Sequence, residues 1–293
     1  LQLDPNGDIY SSSDGIHWDY QTGLSDDSYA DMCTDSSGKV YVIGTSGAVY
    51  YSDGDWTTWT LIIPDIDDEN THEFVAITTY EYIYYGLESD GTVYSAASEE
   101  NWSKVGSAST GLEMADMCCD VYGYLYAIRG DPGYPVVQST DGGENWTAFG
   151  DDDVGGDGTL NYGIVYGEGW NETYYLFIIQ DNGDIRYNTN GTTKSPWPAA
   201  SGPEGISSNC RDIDIDLSTG DIWLLVSNGD VYSGSFNSTD GEIDWSGDSG
   251  GTSAAGIAIA VNLIPEFRDI ALPMGGMIAM MIVLRVRRRQ KSA

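Results

Sequence analysis

The sequence predicts an all-β chain folded as a six-bladed β-propeller, closed by a C-terminal strand and followed by a short hydrophobic C-terminal helix. Three observations carry that expectation. One phrase returns six times: a Gly, one residue, Ile or Val, usually Tyr, then Ser, then an Asp- and Gly-rich turn that closes on Trp. It opens at Gly7, Gly47, Gly91, Pro135, Gly183 and Gly229 and closes at Trp18, Trp59, Trp102, Trp146, Trp197 and Trp245. Successive tryptophans are 41, 43, 44, 51 and 48 residues apart, the period of a propeller blade. Between them lie short runs of Val, Ile and Tyr bounded by Ser, Gly and Asp, which read as strands and hairpins. Finally, no stretch before residue 270 has a helical period.

The second unit shows the full pattern. Tyr29 to Cys33 is a first strand, Lys39 to Ile43 a second, Ala48 to Tyr51 a third, and Trp59 to Ile62 begins a fourth. In the fourth unit Ala115-Asp116-Met117-Cys118 repeats Ala30-Asp31-Met32-Cys33 residue for residue. The first unit lacks an opening strand, because Leu1-Gln2-Leu3 already reads as a second one. Ala255 to Val261 begins at nearly the offset from Trp245 that Met32 has from Trp18, so it is expected to complete the first blade. That would remove two open sheet edges. The alternative is a fragment lacking an upstream blade. Residues 1–262 are thus expected to form the propeller, 263–269 a linker with a sorting motif, 270–284 a membrane or sorting helix, and 285–293 a basic cytoplasmic tail.

The most specific local motif is Ser139-Thr140-Asp141-Gly142-Gly143-Glu144-Asn145-Trp146. It fits Ser-x-Asp-x-Gly-x-x-Trp throughout and resembles the Asp-box, or bacterial neuraminidase repeat, of sialidase-like propellers. In chemical terms Ser139, Asp141, Gly143 and Trp146 make a hairpin lock: the carboxylate accepts turn N–H groups, Gly permits a positive φ, and Trp packs between sheets. The resemblance implies a structural role for these residues on the rim. The sialidase family also uses three arginines to clamp a carboxylate. Here only Arg129, Arg186 and Arg211 precede residue 268, at unlike positions in their units, and the family's N-terminal Arg signature is absent.

The chain carries 46 Asp and Glu against 12 Lys and Arg, a formal net charge of −34. Such a surface repels phosphate backbones, which excludes nucleic acid as a partner. Hard cations bind several oxygen ligands on a loop, so Asp151, Asp153 and Asp157 are candidate calcium ligands. The runs Asp65–Glu69 and Asp212/Asp214/Asp216 offer further acids, the last alternating along one strand. No Cys–x–x–Cys or Cys/His spacing suggests zinc. With His17 and His72 the only histidines, a Ser–His–Asp or Cys–His nucleophile is not expected. Cys33, Cys118, Cys119 and Cys210 read as buried thiols or one disulfide.

The tail differs in kind. Pro265-Glu266-Phe267 precedes an uncharged stretch from Ile270 to Leu284, and then a cluster from Arg285 to Lys291. The basic end should stay cytoplasmic and place the acidic propeller outside. This layout resembles the PEF-CTERM class of archaeal surface-sorting signals. The resemblance implies recognition of Pro265, Glu266 and Phe267 by an archaeosortase-like enzyme. Asn101, Asn145, Asn171, Asn190 and Asn237 head Asn-x-Ser/Thr sequons, compatible with an exported glycoprotein.

Together these features lead to the expectation of a surface-anchored, non-enzymatic propeller that binds a glycan, a protein or a cation. The rival expectation is a sialidase-like or other carboxylate-dependent glycoside hydrolase, which needs two suitably spaced acids.

Overall fold

The computed structural model describes residues 1–4, 6–13, 17–24, 28–35, 37–54, 56–62, 72–97, 102–108, 113–130, 136–149, 160–168, 173–180, 182–189, 197–203, 206, 210–216, 219–226, 228–249 and 256–257. It contains six four-stranded antiparallel sheets. Blade 2 runs Tyr29–Thr34, Val40–Gly44, Val49–Ser52 and Thr60–Ile62; blade 3 runs Phe74–Tyr80, Ile83–Glu88, Thr92–Ala96 and Trp102–Ser107. Blade 4 runs Met114–Cys119, Leu125–Arg129, Val136–Ser139 and Thr147–Phe149; blade 5 runs Asn161–Glu168, Tyr174–Gln180, Ile185–Thr189 and Ala199–Ala200. Blade 6 runs Cys210–Ile215, Asp221–Val226, Val231–Asn237 and Glu242–Ser249.

Blade 1 joins the two ends of the ring. Its second to fourth strands are Gln2–Leu3, Asp8–Ser11 and Asp19–Gly23, and its first is Gly256–Ile257, with Gln2 opposite Ile257 and Leu3 opposite Gly256. The first strands touch one another all the way round, Gly256–Ile257 lying against those of both blades 6 and 2. They form the inner wall of a six-bladed propeller. The described closing strand is shorter than the predicted Ala255–Val261, whose remaining residues lie outside the described set, as does the predicted helix at 270–284. Leu1–Val261 forms one compact unit. Among the described residues no helix is long and apolar enough to cross a membrane.

The core is divided into six clusters, one between each pair of neighbouring blades. This division explains the sequence repeat. Trp18 packs into the cluster between blades 6 and 1, Trp59 into that between 1 and 2, and Trp102 into that between 2 and 3. Trp146, Trp197 and Trp245 take the next three in turn. Each blade therefore contributes one indole to the seam with the blade before it. Fully burying a large side chain stabilises by about 1.5–3 kcal/mol. Trp102 and Trp197 are buried and the other four indoles partly buried, so the same repeat position contributes to every seam in unequal amounts.

The turn that delivers Trp146 is held by its own side chains. Ser139 Oγ donates to Asp141 Oδ1 at 2.8 Å and accepts the Gly143 N–H at 2.9 Å. Asp141 accepts the Asn145 backbone N–H at 2.9 Å and the Asn145 amide at 2.8 Å. The indole donates back to the Gly143 carbonyl at 2.9 Å. Gly142 and Gly143 have φ of 75° and 94°, where a side chain is strained. Trp59 makes the same three-residue return, donating to the Trp56 carbonyl at 3.0 Å.

Candidate functional site: the channel wall and the two ring faces

In a propeller the innermost strand of each sheet is an edge, and its outward backbone groups need partners. Three aspartates supply them across the blade boundaries. Each first strand of blades 2 to 6 carries a register shift near its start, and the residue just after it is Asp31, Ala76, Asp116, Gly163 and Asp212 in turn. Asp31 accepts its neighbour Met32 N–H at 2.7 Å and reaches across to the Ile77 N–H of blade 3 at 2.8 Å. Asp116 accepts Met117 N–H at 2.6 Å and Ile164 N–H of blade 5 at 2.7 Å. Asp212 accepts Ile213 N–H at 2.8 Å and Ile257 N–H of the closing strand at 2.8 Å. Blades 2, 4 and 6 thus each clasp the next blade, which carries Ala76, Gly163 or Gly256 before the clasped isoleucine.

The wall between blades 2, 3 and 4 is laced further. Thr79 Oγ1 donates to the Thr34 carbonyl at 3.3 Å, and the Cys119 thiol donates to the Thr79 carbonyl at 2.7 Å. Burial pushes the Cys119 thiol up to about 11, which keeps its proton in place for that bond. None of the four cysteines is in a disulfide.

The three clasping carboxyls also repel one another. Burial raises Asp31 to about 7, against the two N–H bonds that lower it, and Asp214 adds a further upward push. Asp116 is pushed well above the ordinary carboxylate range by burial and then by Asp31; Asp212 by burial, Asp31 and Asp116. Desolvation and like charge outweigh the hydrogen bonds here. Among the described residues no group of three or more His, Cys, Asp or Glu side chains gathers closely enough to hold a metal ion. That includes the alternating run of Asp212, Asp214 and Asp216, in which Asp214 bonds the adjacent Ile215 N–H at 2.8 Å. The proposed calcium ligands Asp151, Asp153 and Asp157 lie outside the described residues.

The two faces of the ring differ. Turns between second and third strands share one face with the starts of the first strands, and all three arginines preceding residue 268 lie there, on blades 4, 5 and 6. Asn161 Nδ2 donates to the Arg129 carbonyl at 3.5 Å, Gln180 Nε2 to Asn161 Oδ1 at 3.3 Å, and Arg186 Nε to Gln180 Oε1 at 3.4 Å. Arg211 lies 5.7 Å over the ring of Tyr162, the residue after Asn161. Sequence position assigned these arginines to unlike places in their blades; the alternation of strand direction brings them to one face.

The opposite face carries the turns between first and second strands. There Tyr82 of blade 3 and Tyr122 of blade 4 are 79% and 63% exposed, with Val121 and Tyr124 beside them. Sequence reasoning missed this patch, although adjacent Tyr-rich turns at 80–82 and 122–124 are visible in the sequence. Of the other predicted residues, Asn145 is tied to Asp141, and Asn237 donates to Asp240 at 3.1 Å. Asn101, Asn171 and Asn190, and Pro265, Glu266 and Phe267, lie outside the described residues.

No family model matches the chain, and no curated protein matches it. Solved structures do. A virginiamycin B lyase from Staphylococcus aureus aligns with a TM-score of 0.57 at 13% identity, over 82% of this chain and 77% of that one. YCF48 bound to D1 peptide aligns with a TM-score of 0.51 at 11% identity, over 85% of this chain and 69% of that one. An ancestral GH74 enzyme aligns with a TM-score of 0.55 at 15% identity, over 83% of this chain but 36% of that one. At these identities the likeness is one of fold, and the fold is the propeller.

Proposed function

We propose that the chain is an exported, acidic propeller held at the cell surface by its C-terminal segment, where it serves as a non-enzymatic binding and structural module. One observation carries the reading: Asp31, Asp116 and Asp212 each spend both carboxyl oxygens on backbone N–H groups that join blades. A glycosidase needs carboxyls free to transfer a proton or attack a sugar, and these three are employed in holding the ring. The turn at Ser139–Trp146 is read as an Asp-box of structural use. Export rests on the tail, with Pro265-Glu266-Phe267 as the processing signal for an archaeosortase-like enzyme, and calcium is assigned to Asp151, Asp153 and Asp157. The purified full chain, incubated with a panel of surface glycans, should release no reducing sugar. Release that disappears in Asp116→Asn would overturn the reading.

A second reading, a carboxylate-dependent glycoside hydrolase, is favoured by the arginines sharing one face of blades 4 to 6. A carboxylate-bearing sugar would meet guanidinium groups there. Release of such a sugar by the wild type and its loss in Arg186→Ala would favour that reading.

A further inference from the structure

We propose that the ring face opposite the arginines, built on the turns between first and second strands of blades 3 and 4, is a docking surface for a neutral glycan. The proposal rests on the binding-module reading and names the ligand class and the place.

The turns are rigid supports. Asp120 accepts the Tyr122 N–H at 2.8 Å, the Tyr124 N–H at 2.9 Å and the Tyr126 hydroxyl at 3.1 Å. Tyr126 is held in turn by the Gln138 amide at 2.8 Å. Gly123 takes φ of +80°, and a Cβ there would lie 2.7 Å from the Tyr80 ring, so the two turns pack directly on each other. In blade 5 the buried Tyr166 ring stacks on the partly buried Tyr174 ring at 5.4 Å and 6°. Tyr166 packs with Cys118 and Tyr126 of blade 4 in the cluster between blades 4 and 5. Its hydroxyl is buried and has no hydrogen-bond partner among the described residues. The face therefore combines exposed rings with a fixed backbone.

Chemical complementarity selects the ligand. Tyrosine presents a broad apolar face and a polar edge, gaining contact at low entropic cost. A pyranose matches it, with C–H faces to stack and hydroxyls at its edge. An anionic ligand would approach a chain of formal net charge −34 and, on these turns, meet no basic side chain. A cationic one would find Asp120 already bound three times over, leaving Glu81 as the acid on the two turns. Neutral and hydroxyl-rich is the class that remains.

Affinity electrophoresis and calorimetry of the full chain test this, with a β-glucan, a mannan and a galactan as neutral probes. Polygalacturonate and polylysine serve as charged controls. The variant is Tyr82→Ser/Tyr122→Ser; both side chains are mostly in solvent, so the fold should persist and circular dichroism checks it. We expect one neutral polymer to bind and the variant to weaken it at least tenfold. Binding undiminished in the folded variant overturns the surface while leaving the binding-module reading intact. Failure of every neutral polymer, or preference for a charged control, overturns the ligand class. Hydrolysis of a bound polymer at wild-type rate in the variant overturns the parent reading and this surface together.

Discussion

The first strands of blades 2, 4 and 6 differ from those of blades 3, 5 and 1 at one position. The former present Asp31, Asp116 and Asp212; the latter present Ala76, Gly163 and Gly256. At the outer seams the pattern repeats once per blade through tryptophan, whereas along the channel it repeats once per two blades. The difference has a physical cause. A carboxyl on every blade would put six like charges around one narrow axis, and like charges in a low-dielectric site are costly. Alternation halves that charge while still tying every second seam. The small residue leaves space for its neighbours: a Cβ on Gly163 would meet Ile213 Cγ2 at 3.1 Å and the Ile213 backbone N at 3.2 Å.

The strongest way to break the alternation is Ala76→Asp. Ala76 is fully buried between blades 3 and 4, and a new carboxyl there has no prepared partner. An unpaired buried charge costs about 3–5 kcal/mol, enough to unfold a marginal chain, so soluble yield and guanidinium midpoint should fall sharply. The reciprocal change, Asp116→Ala, leaves the Ile164 N–H without its carboxyl. Its expected cost is about 1–3 kcal/mol, smaller because it also relieves repulsion. If Ala76→Asp proves as stable as wild type, the two sets of blades are not distinct.

The pH dependence sharpens the same comparison. Asp31, Asp116 and Asp212 are raised above the ordinary carboxylate value in the folded chain. The native state therefore binds their protons more tightly than the unfolded state. Stability from this source is fully present below the unfolded carboxyl range and declines as pH rises through about 7, the value reached by Asp31. Surface repulsion among 46 acids acts in the same direction, but salt screens it and not the enclosed ring. Denaturation midpoints between pH 4 and 8 in high salt should thus still fall in the wild type. Asp31→Asn, which cannot ionise, should reduce the slope. A flat wild-type profile in high salt would show that the carboxyls keep no protons.

Much of this fold is legible in the sequence because the tryptophan recurs at one position per blade and each indole fills one seam. The Ala-Asp-Met-Cys phrase at Ala30 and Ala115 also marks two of the three clasping blades. The third escapes notice because Arg211-Asp212-Ile213-Asp214 shares with it only the aspartate. The clasp itself is invisible in sequence: it joins Asp31 to an N–H that belongs to Ile77, and backbone donors leave no residue signature. The arginine face was hidden for a related reason. Arg129 ends a second strand, Arg186 lies in a third and Arg211 in a first, and only strand direction reveals that they point to one side of the ring.

The smallest expected effect comes from outside the channel, with the opposite pH sign. Asp141 is exposed, and the Asn145 backbone and amide donors, followed by Ser139, hold its carboxyl below the ordinary value. A lowered carboxyl contributes stability above the unfolded carboxyl range and loses it as pH falls through the folded value, the reverse of Asp31. Asp141→Ala should therefore lower the melting temperature slightly at pH 7 and progressively less at acid pH, until mutant and wild type coincide. The turn is exposed at Asp141, Glu144 and Asn145, and its donors reach water once the carboxyl is gone, so the cost stays small. Paired melting curves at pH 3 and 7 check both the size and the sign. A deficit that grows on acidification would mean that the carboxylate does not lock this turn, and that Trp146 is seated by packing alone.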